Sequence, residues 1–183
     1  GIQVITNESP FDLLATELRA GDVDFIFGAL RSADYASDLS SESLFNEDMV
    51  VLARRDHPLA SQTNLHQALG STQWVLPRAG SPARKMRDDW FTGCSIGAPR
   101  PVVESADMAI IRGLLLRSDM LAAVSAHQLE QEIASGELCI LPLRLKQTTR
   151  AIGLTYRNGC LHSPVAQALM DMIRRVIREA AAL

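Results

Sequence analysis

The chain has 183 residues, of which 47% are hydrophobic and 21% are charged, and this composition is typical of an ordered globular protein. Its length is enough for one large domain or two small lobes. Its 18 basic and 21 acidic residues give a formal net charge of −3, without a long block of one sign. Because nucleic-acid binding needs a basic patch that neutralises phosphates, we expect any DNA contact to come from a part of the protein outside this chain.

The cysteines and the chain start indicate a cytoplasmic fragment. Cys94, Cys139 and Cys160 are far apart and odd in number, which favours reduced thiols over a disulfide framework or a paired metal site. No apolar run approaches the roughly 18 residues of a membrane span, and no secretory signal opens the chain. The sequence begins at Gly1, without methionine, and enters an apolar run at once.

The first predicted unit is a strand, a helix and a second strand. Residues 2–6 are predicted to be extended. Ser9 before Pro10 predicts a helix start, with the serine as N-cap and the proline at the first helical position. Gly21 suits the left-handed conformation that ends a helix, and a strand is predicted at 23–27. Two strands around a short helix predict a parallel pair with a right-handed crossover.

Strands and helices alternate along the rest of the chain, which predicts two open, mostly parallel sheets. The last helix is the clearest, because apolar residues recur at helical spacing after Ser163 and Pro164. Further strands are predicted at 42–55, 73–76, 101–104, 120–124, 138–141 and 150–156, and further helices at 65–69 and from Ser81, Ser105 and Ser125.

Motifs of enzymes are absent from the sequence. It contains no nucleophile elbow, dinucleotide-binding glycine motif, phosphate loop or zinc-protease motif. Four separated histidines are each predicted to be surface or capping residues, since a lone histidine is a weak metal indicator. We therefore expect no catalytic residue, no metal and no cofactor. The histidines are His57, His66, His127 and His162.

Serine recurs at predicted helix starts, where its hydroxyl lies beside free backbone N–H groups and the positive end of the helix dipole. Ser9, Ser81 and Ser105 each follow a predicted strand, and ligands of open α/β sheets bind at the carboxyl ends of strands. A cleft lined by these serines would suit a carboxylate or another small anion. The alternative is that each serine only caps its helix. Glu8 and Arg31 either add polar contacts or are solvated loop charges.

Several segments, in this order, resemble the effector-binding domain of the bacterial LysR-type transcriptional regulators. Residues 18–25 resemble its Leu-Arg-x-Gly turn, and 44–52 followed by 56–60 (Asp-His-Pro-Leu-Ala) resemble its most specific segment. Residues 80–84 and 136–142 are similar to a helix opening and to a Gly-x-Leu-x-x-Leu-Pro strand of the family. Segments 27–31 and 116–119 are most similar to the branch of galactose-binding-protein regulators.

The resemblance implies an α/β fold of two Rossmann-like lobes, similar to type 2 periplasmic binding proteins. Residues 1–72 with 145–183 would form the first lobe and residues 73–144 the second, with the effector in the cleft between them. Because the family has another strand and helix before the segment that begins at Gly1, the first lobe would be N-terminally truncated. The effector contacts implied are Thr6, Asn7, Glu8, Ser9, Gly80, Ser81, Ser105 and Ala106.

The function implied is the sensing of a small polar, anionic metabolite for a transcription regulator. DNA would be bound only through a separate N-terminal domain, without contact to a membrane, and we expect a homodimer or, at full length, a tetramer. One alternative is a dehydratase-like enzyme on the same scaffold, for which Glu8, Glu104 and Asp107 are the acid–base candidates. A second is an exported solute-binding protein.

Overall fold

The computed structural model describes residues 2–32, 35–62, 65–93, 99, 101–143 and 148–180, without the side chains of His66, Gln67 and Pro82. Its helices are α1 (Phe11–Ala20), α2 (Leu65–Leu69), α3 (Pro82–Gly93), α4 (Met108–Arg117), α5 (Glu130–Ala134) and α6 (Pro164–Ala180), with a 3₁₀ helix at Ala126–Leu129. Its strands are β1 (Ile26–Ala29), β2 (Leu39–Glu47), β3 (Met49–Arg54), β4 (Trp74–Leu76), β5 (Pro101–Glu104), β6 (Ala122–Ser125), β7 (Leu138–Ile140) and β8 (Arg150–Arg157).

The chain divides into two compact units, Gly1–Glu47 with Arg150–Leu183, and Asp48–Thr149. These bounds differ from the predicted lobe bounds, which assign residues 48–72 to the first lobe. The second unit holds that segment because β3 is hydrogen-bonded between β6 and β7, which both belong to the second unit.

The first unit contains a three-stranded antiparallel sheet in the order β1-β8-β2. Helix α1 contacts β1 and β8 and buries Ala15 and Leu18 in a small core. Gly21 ends the helix at φ +89°, and its N–H donates to the carbonyls of Glu17 and Leu18. This left-handed residue was predicted, and it turns the chain toward β1.

The predicted strand at residues 2–6 is wrong, because residues 2–10 form neither helix nor strand. A strand needs a neighbour for its backbone N–H and C=O groups, and β1 pairs only with β8 among the described strands. The predicted parallel pair is therefore not formed by the described residues of this unit. The first strand starts at Ile26, three residues later than predicted.

The second unit contains a three-stranded sheet, β6-β3-β7, and a parallel pair, β4 and β5. Side chains of β3 alternate between two cores, with Val51 and Ala53 in one and Leu52 in the other. This alternation is the period of a strand that is covered on both faces. Since β3 pairs antiparallel with both neighbours, the prediction of mostly parallel sheets is wrong for the described strands.

Aromatic side chains fill the core under α3. Trp74 packs edge-on against Phe91 with ring centroids 5.0 Å apart, and Trp90 lies 4.8 Å from the same ring. All three side chains are buried. This packing fixes α3 against β4 and so positions the start of α3 beside the carboxyl end of that strand.

Candidate functional site

A cavity of about 220 Å³ lies in the first unit, at the start of α1 and the end of β1. Three of the four residues predicted from the preceding loop line this cavity, and Thr6 is not among its lining residues. Polar and apolar side chains both contribute to its wall, so it suits a small amphipathic molecule. The lining residues are Asn7, Glu8, Ser9, Phe11, Leu14, Ile26, Phe27, Gly28, Ala29 and Arg31.

Side-chain hydrogen bonds order the loop before α1. The Ser9 hydroxyl donates to Asn7 Oδ1 at 3.1 Å, and Asn7 Nδ2 donates to Glu17 Oε2 at 2.8 Å. The predicted capping role of Ser9 is therefore wrong, because Pro10 occupies the N-cap position and makes no side-chain cap bond. The Leu13 and Leu14 N–H groups donate to the Pro10 carbonyl at 3.0 and 3.2 Å, and the start of α1 gives this end of the cavity a partial positive charge.

Arg31 supplies a positive charge to the same cavity. Its guanidinium is half-buried, with Cζ 4.8 Å from the centroid of the Phe11 ring. Nη1 donates to the Ala29 carbonyl at 3.2 Å, and Nε is buried without a hydrogen-bond partner among the described residues. Burial lowers the pKa of Arg31 below its usual value. The sequence placed Arg31 at a strand end but did not indicate its burial against Phe11.

The second group of predicted residues lies in the second unit. Ser81 precedes α3, and its hydroxyl accepts a hydrogen bond from the Arg84 N–H at 3.1 Å, so the predicted cap is confirmed. Gly80 is exposed with φ +80°, a left-handed conformation that favours glycine at this turn. The Ser81 hydroxyl keeps its own proton available for a ligand oxygen.

Ser105 lies beside this group because β4 and β5 are parallel. Its N–H donates to the Leu76 carbonyl at 2.9 Å, and Ala106 follows as an exposed residue. The prediction that Ser105 caps α4 is wrong. Asp107 is the N-cap and its Oδ1 accepts from two backbone N–H groups, while the Ser105 hydroxyl accepts from the Asp107 N–H at 3.1 Å.

Arg84 ties the two serine segments together. Its Nη1 donates to the Pro77 carbonyl at 3.2 Å and to Glu104 Oε1 at 3.0 Å. Its Nε donates to Asp88 Oδ1 at 2.9 Å, and the side chain is only 12% exposed. The guanidinium therefore joins the ends of β4 and β5 to the first turns of α3 and holds Ser81 close to the Ser105 segment.

That the chain has no catalytic or metal-binding residue stays a prediction. No group of three or more His, Cys, Asp or Glu side chains is placed to hold a metal among those residues. Of the three acid–base candidates, Glu104 pairs with Arg84 and Asp107 caps α4, whereas Glu8 belongs to the other unit. Cys94 lies outside the described residues. No helix within the described ranges has the length and apolar character to cross a bilayer.

Comparison with known sequences assigns the chain to a family of regulators. The profile of the LysR substrate binding domain matches residues 1–178. The HTH-type transcriptional regulator GalR of Pseudomonas putida KT2440 is 66% identical over 180 residues, which are 98% of this chain and 45% of that protein. PcaQ of Agrobacterium fabrum is 26% identical over 97% of this chain and 57% of its own length. The chain thus spans about half the length of these relatives.

Solved structures show the fold. The regulatory domain of Synechocystis CcmR, in complex with 2-PG, superposes with a TM-score of 0.75 at 22% identity, covering 92% of this chain and 80% of that domain. The effector binding domain of QuiR, in complex with shikimate, gives a TM-score of 0.73 at 17% identity, covering 93% and 79%. These likenesses confirm the predicted two-lobed, periplasmic-binding-protein-like α/β fold. The chain belongs to the LysR substrate-binding domain family.

Proposed function

We propose that this chain is the effector-sensing part of a LysR-type transcription regulator and that its effector is a small anionic metabolite. The observation that carries the proposal is the family match over residues 1–178, with relatives named as HTH-type transcriptional regulators. Similar domains hold 2-PG in CcmR and shikimate in QuiR. The finer assignment to the branch of galactose-binding-protein regulators stays a prediction.

The proposed effector contacts are the two groups of polar residues at helix starts. The Ser81 hydroxyl and the twelve-residue helix behind it favour an anionic oxygen. At α4 the carboxylate of Asp107 already occupies the N-cap, so Ser105 suits a ligand hydroxyl better than a second anion. The full proposed set is Thr6, Asn7, Glu8, Ser9, Gly80, Ser81, Ser105 and Ala106.

Sensing requires no chemical step, cofactor or metal. The effector would act by binding one state of the protein more tightly than another, which shifts the population between them. DNA contact would belong to a separate domain, because this chain carries a formal net charge of −3. We propose a cytoplasmic homodimer, with a tetramer as the alternative assembly at full length.

The proposal is tested by a thermal-shift screen against small carboxylates, sulfonates, sugars and sugar acids, with each compound followed for turnover. We expect a ligand that raises the melting temperature and remains chemically intact. The double variant Ser81→Ala/Ser105→Ala should then weaken its binding about tenfold, since each lost hydrogen bond contributes roughly 0.5–1.5 kcal/mol.

Ser163→Ala is the matched control. The Ser163 hydroxyl also caps a helix, accepting from the Ala166 N–H at 3.1 Å, but it belongs to the first unit and does not line the cavity there. This variant should lower stability without a change in ligand affinity. Unchanged affinity in the double variant would contradict the proposed site, and consumption of the ligand would favour the enzyme alternative instead.

A further inference from the structure

Arg31 is partly buried and has no carboxylate partner among the described residues. Arg157 resembles it in this respect, but Arg157 donates to the carbonyls of Leu18 and Val23 and to the Cys160 sulfur. The described contacts of Arg31 are the Ala29 carbonyl, at 3.2 Å, and the face of the Phe11 ring. Its buried Nε donates to none of the described residues. By contrast, a carboxylate oxygen lies within salt-bridge distance of Arg19, Arg54, Arg84, Arg112, Arg150 and Arg174.

A half-buried guanidinium without a counter-charge is costly, because burial removes water from the charge and no ion pair replaces that water. Asp12 lies near enough to favour the charged form of Arg31, but its Oδ1 accepts a hydrogen bond from the Tyr35 hydroxyl at 2.5 Å. The nearby Arg150 has the opposite effect on Arg31. Among the described residues, the arrangement therefore leaves a positive charge at the cavity without a salt-bridged carboxylate, and a buried Nε without an acceptor.

The cavity wall combines apolar and polar surface that would complement a ligand with an apolar body and a charged group. Phe11, Leu14 and Phe27 offer apolar surface in the cavity wall, while Asn7 and Glu8 offer polar atoms. Because the Glu8 carboxylate repels an anion, it would direct a ligand carboxylate toward Arg31 and accept a hydrogen bond from a ligand donor. A volume of about 220 Å³ limits the ligand to a small molecule.

We propose that Arg31 binds the carboxylate of the effector, and that the effector is a small carboxylate with an apolar body. The inference rests on the proposed sensing function and names the ligand class that this site selects. A guanidinium has five N–H donors in a planar fork, so Arg31 can keep its bond to Ala29 and still donate two parallel hydrogen bonds to a carboxylate. A neutral amide of the same shape would lose the charge-assisted part of this contact.

The experiment measures the dissociation constants of matched acid and amide pairs by calorimetry. The probes are benzoate and benzamide, propionate and propionamide, and succinate and succinamide, with glucose and galactose as uncharged compounds. For the wild-type protein we expect at least one carboxylate to bind about tenfold or more tightly than its amide. Arg31→Gln should weaken that carboxylate about 10- to 100-fold and leave the amide nearly unchanged.

Two further variants separate this role from a purely structural one. Arg175→Gln removes the same charge from an exposed position on α6 and should leave the affinity unchanged. Arg31→Lys keeps the charge but not the fork, so it should recover part of the affinity. If Arg31→Gln lowers the melting temperature too far for titration, Arg31→Lys is compared with the wild type. A smaller preference for the acid over its amide in Arg31→Lys, measured as the ratio of their dissociation constants, supports the role of Arg31, and an unchanged preference contradicts it.

The outcomes distinguish this inference from the proposed function. Equal carboxylate affinity in the wild type and in Arg31→Gln would overturn the assignment of Arg31. Binding of amides or sugars without any carboxylate would overturn the ligand class, while the sensing function would stand. If no compound in this experiment or in the wider thermal-shift screen binds the wild type, the proposed function fails and this inference fails with it.

Discussion

Gly153 lies where the backbones of β2 and β8 approach most closely. A Cβ atom at this position would lie 1.8 Å from the Glu42 carbonyl oxygen and 2.9 Å from its carbon. The pairing register of β2 shifts between Ser43 and Phe45, directly beside this contact. The absence of a side chain therefore allows the two strands to pair through the irregularity.

Gly153→Ala is expected to lower the free energy of unfolding by about 2 kcal/mol or more, because the two backbones must move apart to admit the methyl group. Urea denaturation measures the change. Gly28→Ala is the matched control, since Gly28 lies opposite Gly153 on β1 and a Cβ there has nothing within 4 Å. Equal effects of the two substitutions would contradict the close approach at Gly153.

The residue types at the candidate site were predictable, but their partners were not. Ser105 and Asp107 are both good capping residues two positions apart, and the choice of Asp107 depends on how the chain leaves β5. Arg31 is buried by Phe11, which lies twenty positions earlier in the sequence. The prediction that His57 is a surface or capping residue is wrong, because His57 is 5% exposed and its Nδ1 accepts the Leu59 N–H within a turn, where no helix begins.

At the scale of elements, the start of α6 was predictable from neighbouring residues, whereas its buried face depends on contacts with distant ones. Its start was predicted from the local pair Ser163 and Pro164, and the Ser163 cap is confirmed. Its buried face was predicted less well. The apolar repeat after Pro164 predicted a buried face of Val165, Ala168, Leu169, Met172, Ile173, Val176 and Ile177. The structure buries Ala166 and Met170 instead, and Met172 and Val176 are exposed. Apolar residues occur around much of the helix, so periodicity alone did not select the face that contacts β2.

The contact between α6 and β2 includes a forked ion pair. Arg174 Nε donates to Glu42 Oε1 at 2.9 Å, and Nη2 donates to Oε2 at 2.6 Å. The Arg174 guanidinium holds the pKa of the Glu42 carboxyl below its usual value, and desolvation opposes this effect. Since the folded-state pKa is depressed, the stabilisation is present above the unfolded-state pKa of about 4.3 and is lost as the pH falls through the lower folded-state value.

Glu42→Gln is therefore expected to lower stability by about 1 kcal/mol at pH 7, because the pair is partly exposed and partly screened. The difference from the wild type should shrink as the pH falls below about 4.3, where the Glu42 carboxylate of the unfolded state takes up a proton, and should be lost below the lower folded-state pKa. Urea denaturation at pH 7 and pH 3.5 measures it. Glu179→Gln, at an exposed position of the same helix, should show little change at either pH. A difference that is the same at both pH values would argue against the ion pair.

Strand positions followed from local pattern more reliably than strand pairing. The apolar run that forms β3 was predicted, and so were the extended segments of β2 and β8. The partner of β1 and β2 is β8, more than one hundred positions along the chain, and no local pattern specifies this antiparallel pairing. The parallel sheets were inferred from the alternation of strands and helices. This alternation does not show whether a strand pairs with its neighbour in sequence or with a strand from a distant part of the chain.

For the whole molecule, the order of family-specific segments carried more information than the periodicity of any one element. The Asp-His-Pro-Leu-Ala segment at residues 56–60 and the strand around residues 136–142 lie far apart in sequence, yet both belong to the second unit. Their resemblance predicted the fold class that the solved relatives confirm. The bounds of the two units were not predictable in this way, since they depend on which strands pair with β3.

The charge of the whole molecule leads to a prediction about DNA. With 18 basic and 21 acidic residues and no long basic block, this 183-residue chain offers little to neutralise phosphates. We expect the fluorescence anisotropy of a labelled duplex to remain unchanged by the chain at about 100 mM salt up to roughly 100 μM protein, with or without a bound effector. A basic helix-turn-helix domain of similar size serves as the positive control. Binding that weakens steeply as salt increases would instead assign a phosphate-contacting surface to this chain and contradict a separate DNA-binding domain as the sole contact.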